Sequence, residues 1–118
     1  LPLSKWEKDI HSTISILNDP DFRDIFGPTS LAEVPVAGII DGVPFQGRID
    51  RLLVTPHTVT IVDYKTDRVF PTDAENIPEG YRKQLEGYAT ALKTIYPGHR
   101  FRKILLWTEG PKVQVIPE

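Results

Sequence analysis

In Thr60-Ile61-Val62-Asp63-Tyr64-Lys65-Thr66 a carboxylate and an ammonium stand two residues apart inside a β-branched, apolar run. Side chains alternate along an extended strand, so Ile61, Asp63 and Lys65 share one face and the two charges project side by side from the end of a core strand. Burying both is costly unless each finds a partner. A second carboxylate, Asp50 in Gly47-Arg48-Ile49-Asp50-Arg51-Leu52-Leu53-Val54, is in phase with Leu52 and Val54 and so falls on a face destined for the core. If the two strands are neighbours the acids converge. Glu33, in Leu31-Ala32-Glu33-Val34-Pro35 on the preceding strand, is a candidate third. Packed carboxylates repel unless a cation lies between them, and oxygen ligands with retained waters suit Mg²⁺. Taken one pair at a time, Asp63 with Lys65, or Asp50 with Arg48 or Arg51, reads first as a plain ion pair. The conjunction is more specific: Asp50, a gap of twelve residues, then Asp63-x-Lys65 is an arrangement in which two acids hold a metal and a lysine contacts the attacking water or a phosphate.

A third group lies downstream. Tyr81, Gln84 and Tyr88 fall at i, i+3 and i+7, on one face of a helix whose stripe is otherwise apolar. Two readings stand side by side. Gln84 lies at the edge of the stripe, with the tyrosines as core residues whose hydroxyls stay wet; or Gln84 and a tyrosine hydroxyl reach a metal site or a phosphate, flanked by Arg82 and Lys83. Other templates are absent: the chain has no Gly-x-x-x-x-Gly-Lys-Ser/Thr loop, no Gly-x-Gly-x-x-Gly, no His-Glu-x-x-His and no Gly-x-Ser-x-Gly.

The elements that must position these residues are legible from periodicity. Trp6, Ile10, Ile14 and Leu17 follow Ser4 at helical spacing, and Asn18-Asp19-Pro20 ends the run. A short turn is expected over 21–26. Two strands, Leu31 to Ile40 and Val43 to Val54, flank Asp41-Gly42, a strong signal for a two-residue hairpin. Thr58 to Lys65 is a third strand. The stretch 66–78, rich in Asp, Pro, Thr and Asn, is a loop long enough to suggest function or mobility. Pro78 suits a first helical turn, and Tyr81, Leu85, Tyr88, Ala89, Leu92 and Ile95 form a stripe up to Pro97-Gly98. Phe101 to Trp107 and Val113 to Ile116 close the chain as strands.

With 118 residues there is room for a single domain, helical over 1–30 and carrying its chemistry over 31–118. No cysteine is present, which removes disulfides, thiolate metal sites and cysteine nucleophiles together. No apolar run approaches the roughly 20 residues of a membrane span. The net charge of -2 excludes a polycation, yet charge is unevenly spread. Residues 1–80 carry seven Lys/Arg against thirteen Asp/Glu, whereas 81–112 carry seven against two. Clustering on solvated faces explains this, or acids collect a cation while bases collect a polyanion. The abrupt opening at Leu1-Pro2-Leu3, without a Met, leads us to expect a C-terminal piece of a longer protein.

Gly47-Arg48-Ile49-Asp50, Val62-Asp63-Tyr64-Lys65-Thr66-Asp67 and Tyr81-Arg82-Lys83-Gln84-Leu85-Glu86-Gly87-Tyr88 together resemble the three signature blocks of the RecB-like nuclease domains of the PD-(D/E)xK superfamily. The likeness runs from about Glu33 to the end and is greatest to the C-terminal nuclease domain of AddA-type helicase-nuclease subunits. It implies an α/β (α+β) fold with a restriction-endonuclease-like core: a mixed sheet of about five strands flanked by helices, in the order α-β-β-β-α-β-β. It implies that Asp50, Asp63 and the backbone carbonyl of Tyr64 ligate Mg²⁺, for which Mn²⁺ can substitute. Lys65 positions or deprotonates the water, Gln84 and Tyr88 belong to the motif particular to this branch, and Glu33 matches the acidic residue of the strand before the hairpin. Tyr81, Arg82, Lys83, Lys93, Arg100, Arg102 and Lys103 are candidates for holding DNA.

The same resemblance implies exonuclease action on DNA in the processing of double-strand breaks, in the bacterial cytoplasm. The implied partners are DNA, a helicase part of the same polypeptide and a second nuclease subunit, with no membrane. Such domains carry a further histidine on an N-terminal helix. The surroundings of His11 do not match that motif, so the histidine is expected upstream of this sequence. The competing readings are a non-catalytic DNA-binding or interaction module on the same fold, and a restriction or junction-resolving nuclease of the same superfamily.

Overall fold

The computed structural model describes residues 4–117. Ser4 caps the first helix, α1 (Lys5–Asn18), by accepting the Glu7 N–H at 3.3 Å. The helix forms as its spacing predicts, but the expected apolar stripe is left uncovered: Trp6, Ile10, Ile14 and Leu17 are 65, 45, 51 and 47% exposed. Past Pro20 the chain makes a 3-10 turn at Arg23–Phe26, whose Ile25 is buried.

Five strands follow, β1 (Leu31–Ile40), β2 (Val43–Val54), β3 (Thr58–Lys65), β4 (Arg100–Trp107) and β5 (Lys112–Val115), in the spatial order β1-β2-β3-β4-β5. Neighbours are antiparallel except β3 and β4, which run parallel and are joined through α2 (Glu79–Lys93). A parallel pair requires such a crossover. At the β1–β2 hairpin Asp41 and Gly42 both take positive φ, 49° and 77°, as a two-residue turn matched to strand twist demands.

One face of the sheet packs on α2. Leu85, Tyr88, Ala89 and Leu92 meet Ile49, Leu52, Val59, Ile61, Leu105 and Trp107 there. The other face carries a smaller cluster of Ile25, Val62 and Ile104. Ile95, expected to extend the helical stripe, is instead 64% exposed, because α2 stops at Lys93. The long connection 66–78 is tied down along its length. Phe70 stacks on Trp107 at 5.1 Å, the Pro71 carbonyl accepts from Gln114 at 2.9 Å, and the Ala74 carbonyl accepts from the Arg82 guanidinium.

The alternation of β2 changes phase in the middle. Leu52 and Val54 face α2 as expected, but Gly47 and Ile49, of the opposite parity, face it too. The switch falls at Asp50–Arg51. Across the ladder, Ala32 pairs with Arg51 and Val34 with Ile49, while Glu33 and Asp50 between them do not pair. Glu33 takes a φ of 54°, left-handed for a residue with a side chain, so the strands wring sharply at this point. Among the described residues no helix is long and apolar enough to cross a membrane.

Candidate active site

β2 and β3 pair through Leu52–Ile61 and Arg51–Val62, and the next step of that register sets Asp50 opposite Asp63. The backbone ladder stops there. In its place the Asp50 carboxylate accepts the Tyr64 N–H at 2.7 Å, so the wring in β2 turns this side chain onto the end of β3. Asp63 is 4% exposed, and its buried Oδ2 stands 2.7 Å from Lys65 Nζ, its ion-pair partner. Burial, above all, and then the adjacent Asp50 carboxylate push Asp63 up to about 6, against the pull of Lys65. Of the two ion-pair readings, the Asp63–Lys65 pair is present. Arg48 lies 3.7 Å from Glu33, and Arg51 turns to the opposite face, where it donates to the Ile25 carbonyl at 3.2 Å and to Ser30.

From Lys65 a chain of contacts runs onto α2. Its ammonium donates to Gln84 Oε1 at 3.0 Å and lies 4.1 Å over the Tyr81 ring. Gln84 Nε2 donates to the Tyr88 hydroxyl at 3.3 Å, which in turn donates to the Arg48 carbonyl at 2.9 Å. Both readings of this helix face therefore hold in part: Tyr88 is buried core, and Gln84 is bound to the lysine of the acidic site. Gly47 is what lets the tyrosine in, since a Cβ there would stand 2.7 Å from the Tyr88 ring. The importance of that glycine was not legible without the packing.

Asp50, Asp63, Gln84 and Tyr88 line one cleft of about 640 Å³, with Phe45, Gly47, Arg48 and Lys83 among its other walls. Two carboxylates meeting at a strand end, one of them buried, suit a hard divalent cation. Glu33 does not join them. Its left-handed backbone turns it outward, where it is exposed and faces Arg48, and no group of three acidic or histidine side chains suited to a metal occurs among the described residues. His11 is exposed on α1 and does not line the cleft.

The cations expected to hold DNA separate into different surroundings. Lys83 lines the cleft, 3.8 Å from Glu79. Arg82 is spent on the Ala74 carbonyl, and Tyr81 is turned under Lys65, its hydroxyl donating to Asp67 at 3.0 Å. That bond, first, raises the Tyr81 phenol above its ordinary range. Lys93, Arg100 and Lys103 line a separate cavity of about 460 Å³. Arg102 faces the other way, donating to the Asp21 carbonyl at 3.1 Å and lying over the Phe22 ring. Asp67 was not among the expected site residues, although it stands in the same block as Asp63 and Lys65.

A family model of the PD-(D/E)XK nuclease superfamily matches residues 3–114, and the chain belongs to that superfamily. Among curated relatives, it is 35% identical over 74 residues to an ATP-dependent helicase/nuclease subunit of Oenococcus oeni, covering 62% of this chain and 6% of that protein. To the subunit of the same name from Streptococcus mutans it is 34% identical over 90 residues, covering 75% and 6%. The chain thus spans about 6% of the length of these relatives. The fold is also that of an exonuclease candidate from Eubacterium rectale, with a TM-score of 0.54, 18% identity, and 94% of this chain and 44% of that one covered. The mixed five-stranded sheet flanked by helices is accordingly the nuclease core expected from the three sequence blocks.

Proposed function

We propose that this chain is the nuclease domain of a helicase-nuclease, hydrolysing DNA phosphodiesters with a divalent metal. One observation carries the reading: the buried Asp63 carboxylate faces Asp50 at the end of paired strands, with the Lys65 ammonium 2.7 Å away as its counter-charge. Asp50 and Asp63 would hold Mg²⁺, or Mn²⁺ in its place. In an extended strand a residue's N–H and C=O point to the same side. The Tyr64 carbonyl therefore belongs on the side of Asp50, which accepts the Tyr64 N–H, and is the third oxygen we assign. The metal, when bound, lowers the pKa of water and offsets charge on the phosphoryl oxygens.

The chain's own groups then have defined tasks. Lys65 supplies positive charge where negative charge grows on the phosphoryl group, and its ammonium can orient the attacking water. Gln84 fixes Lys65, and Tyr88 fixes Gln84 by anchoring it to the Arg48 carbonyl. Arg48 and Lys83 on the cleft walls suit the phosphates either side of the scissile bond. The relatives named as helicase/nuclease subunits support nuclease action within a longer polypeptide, and we extend the reading to exonuclease action in the repair of broken DNA with a second nuclease subunit.

The test is a Mg²⁺ or Mn²⁺ titration of plasmid and single-strand cleavage by the full-length protein, with calorimetry of metal binding alongside. Asp63→Ala should abolish metal-dependent cleavage. Wild-type rates in that variant would remove the mechanism, and DNA binding without any cleavage would favour a non-catalytic module.

A further inference from the structure

Lys65 has contacts beyond those of the acidic pair. Its ammonium lies 4.1 Å over the face of Tyr81, whose hydroxyl donates to both oxygens of Asp67, at 3.1 and 3.0 Å. On the inner side Tyr81 tilts against the buried Trp107 at 6.0 Å. Tyr81 belongs to the first turns of α2, whereas Asp67 follows Lys65 by two residues just past the end of β3. The ring is thereby held from both sides at the junction of strand and helix.

We propose that Tyr81 and Asp67 are positioning residues that seat the Lys65 ammonium: the ring face carries the charge, and Asp67 carries the ring. Lysine has four rotatable bonds, and the contacts of its ammonium with Asp63 and Gln84 hold only the tip of such a chain. A ring face attracts a cation without competing for its N–H donors, so the ammonium keeps protons for the cleft while its place is set. The phenol, by donating to a carboxylate, adds electron density to the ring and strengthens that attraction. The ring, Gln84 and Asp63 together determine where Nζ lies. The consequence for rate rests on the nuclease reading above; the seat itself does not.

The experiment compares Tyr81→Phe, Tyr81→Leu and Asp67→Ala in the full-length protein, by kcat and KM on DNA and by NMR of the Lys65 side chain without metal. Ring current should shift the Lys65 ε-methylene signals upfield in wild type and in Tyr81→Phe, and Tyr81→Leu should return them to ordinary values. Tyr81→Leu should lower kcat about tenfold or more, with KM within about twofold, because misplacing a reacting group penalises the turnover step. Tyr81→Phe and Asp67→Ala, which keep the ring but free it, should each lose about two- to fivefold in kcat on the same argument.

Unshifted Lys65 signals in wild type would overturn the proposal. So would full kcat in Tyr81→Leu, or equal deficits in Tyr81→Leu and Tyr81→Phe, which would assign the effect to the hydroxyl. Should Tyr81→Leu not fold, the other two variants decide: matched losses support the seat, and an unimpaired Asp67→Ala sinks it. A wild-type protein that does not cleave DNA would defeat the functional reading, with the ring shift still deciding the seat.

Discussion

Asp63 is held where a carboxylate is costly, and the sign of that cost is measurable. Its pKa lies at about 6 rather than 3.8, mostly through burial, so folding favours the protonated form. The stability this group contributes is complete below about pH 4 and is lost as pH rises through about 6. At about 1.36 kcal/mol per unit, the ionised form costs the metal-free fold on the order of 3 kcal/mol at pH 8. Asp63→Asn should therefore stabilise the metal-free chain there by about 1–3 kcal/mol, the lower figure allowing for the counter-charge Lys65 loses. Urea denaturation at pH 8 and again at pH 4.5 checks it: the gain should shrink to about a third in acid, and an equal gain at both would rule out this origin. Divalent metal should bind more weakly below about pH 6, where protons compete for Asp63, a dependence calorimetry reads directly.

At the scale of elements, α2 and the β1–β2 hairpin meet through close approaches that leave little slack. Tyr88 sits against the bare Cα of Gly47 and reaches past it to the Arg48 carbonyl. Gly47→Ala places a Cβ 2.7 Å from the Tyr88 ring, so the tyrosine must withdraw. We expect a loss of about 1–3 kcal/mol in thermal or urea denaturation, together with reduced cleavage, since Gln84 loses its anchor. Tyr88→Phe removes only the hydroxyl and should cost about 1 kcal/mol. If Gly47→Ala proves neutral in both assays, the close approach does not position the site.

Across the whole molecule, charge is arranged differently from its clustering along the chain. The basic stretch from Arg82 to Lys112 does not make one surface. Lys83 joins Arg48 in the cleft, Lys93, Arg100 and Lys103 gather at another cavity, and Arg102 is fastened to the opposite side. DNA affinity measured by anisotropy between 50 and 200 mM salt should fall with salt, and Arg48→Ala or Lys83→Ala should each reduce the slope by about one ion. Arg102→Ala should leave both affinity and slope unchanged. An equal effect of all three would place DNA across both faces instead. The uncovered stripe of Trp6, Ile10, Ile14 and Leu17 belongs to this scale too, because a helical period specifies an element but not what packs on it.

Much of this protein was determined by its sequence alone. The two strands flanking Asp41-Gly42, the β-branched third strand and the striped helix are each specified by neighbours a few residues apart, where local sterics and periodicity decide. The pairing of Asp50 with Asp63-x-Lys65, and the Gln84 face, were legible for the same reason. Only the tertiary structure decided which acids meet. Alternation assumes an even pleat, and the wring at Glu33 and Asp50 breaks it, turning Glu33 outward and Asp50 onto the Tyr64 amide. The role of Gly47, the bond of Tyr81 to Asp67 and the scattering of the cations were likewise out of reach. Each depends on contact between elements distant in the chain, which no local pattern encodes.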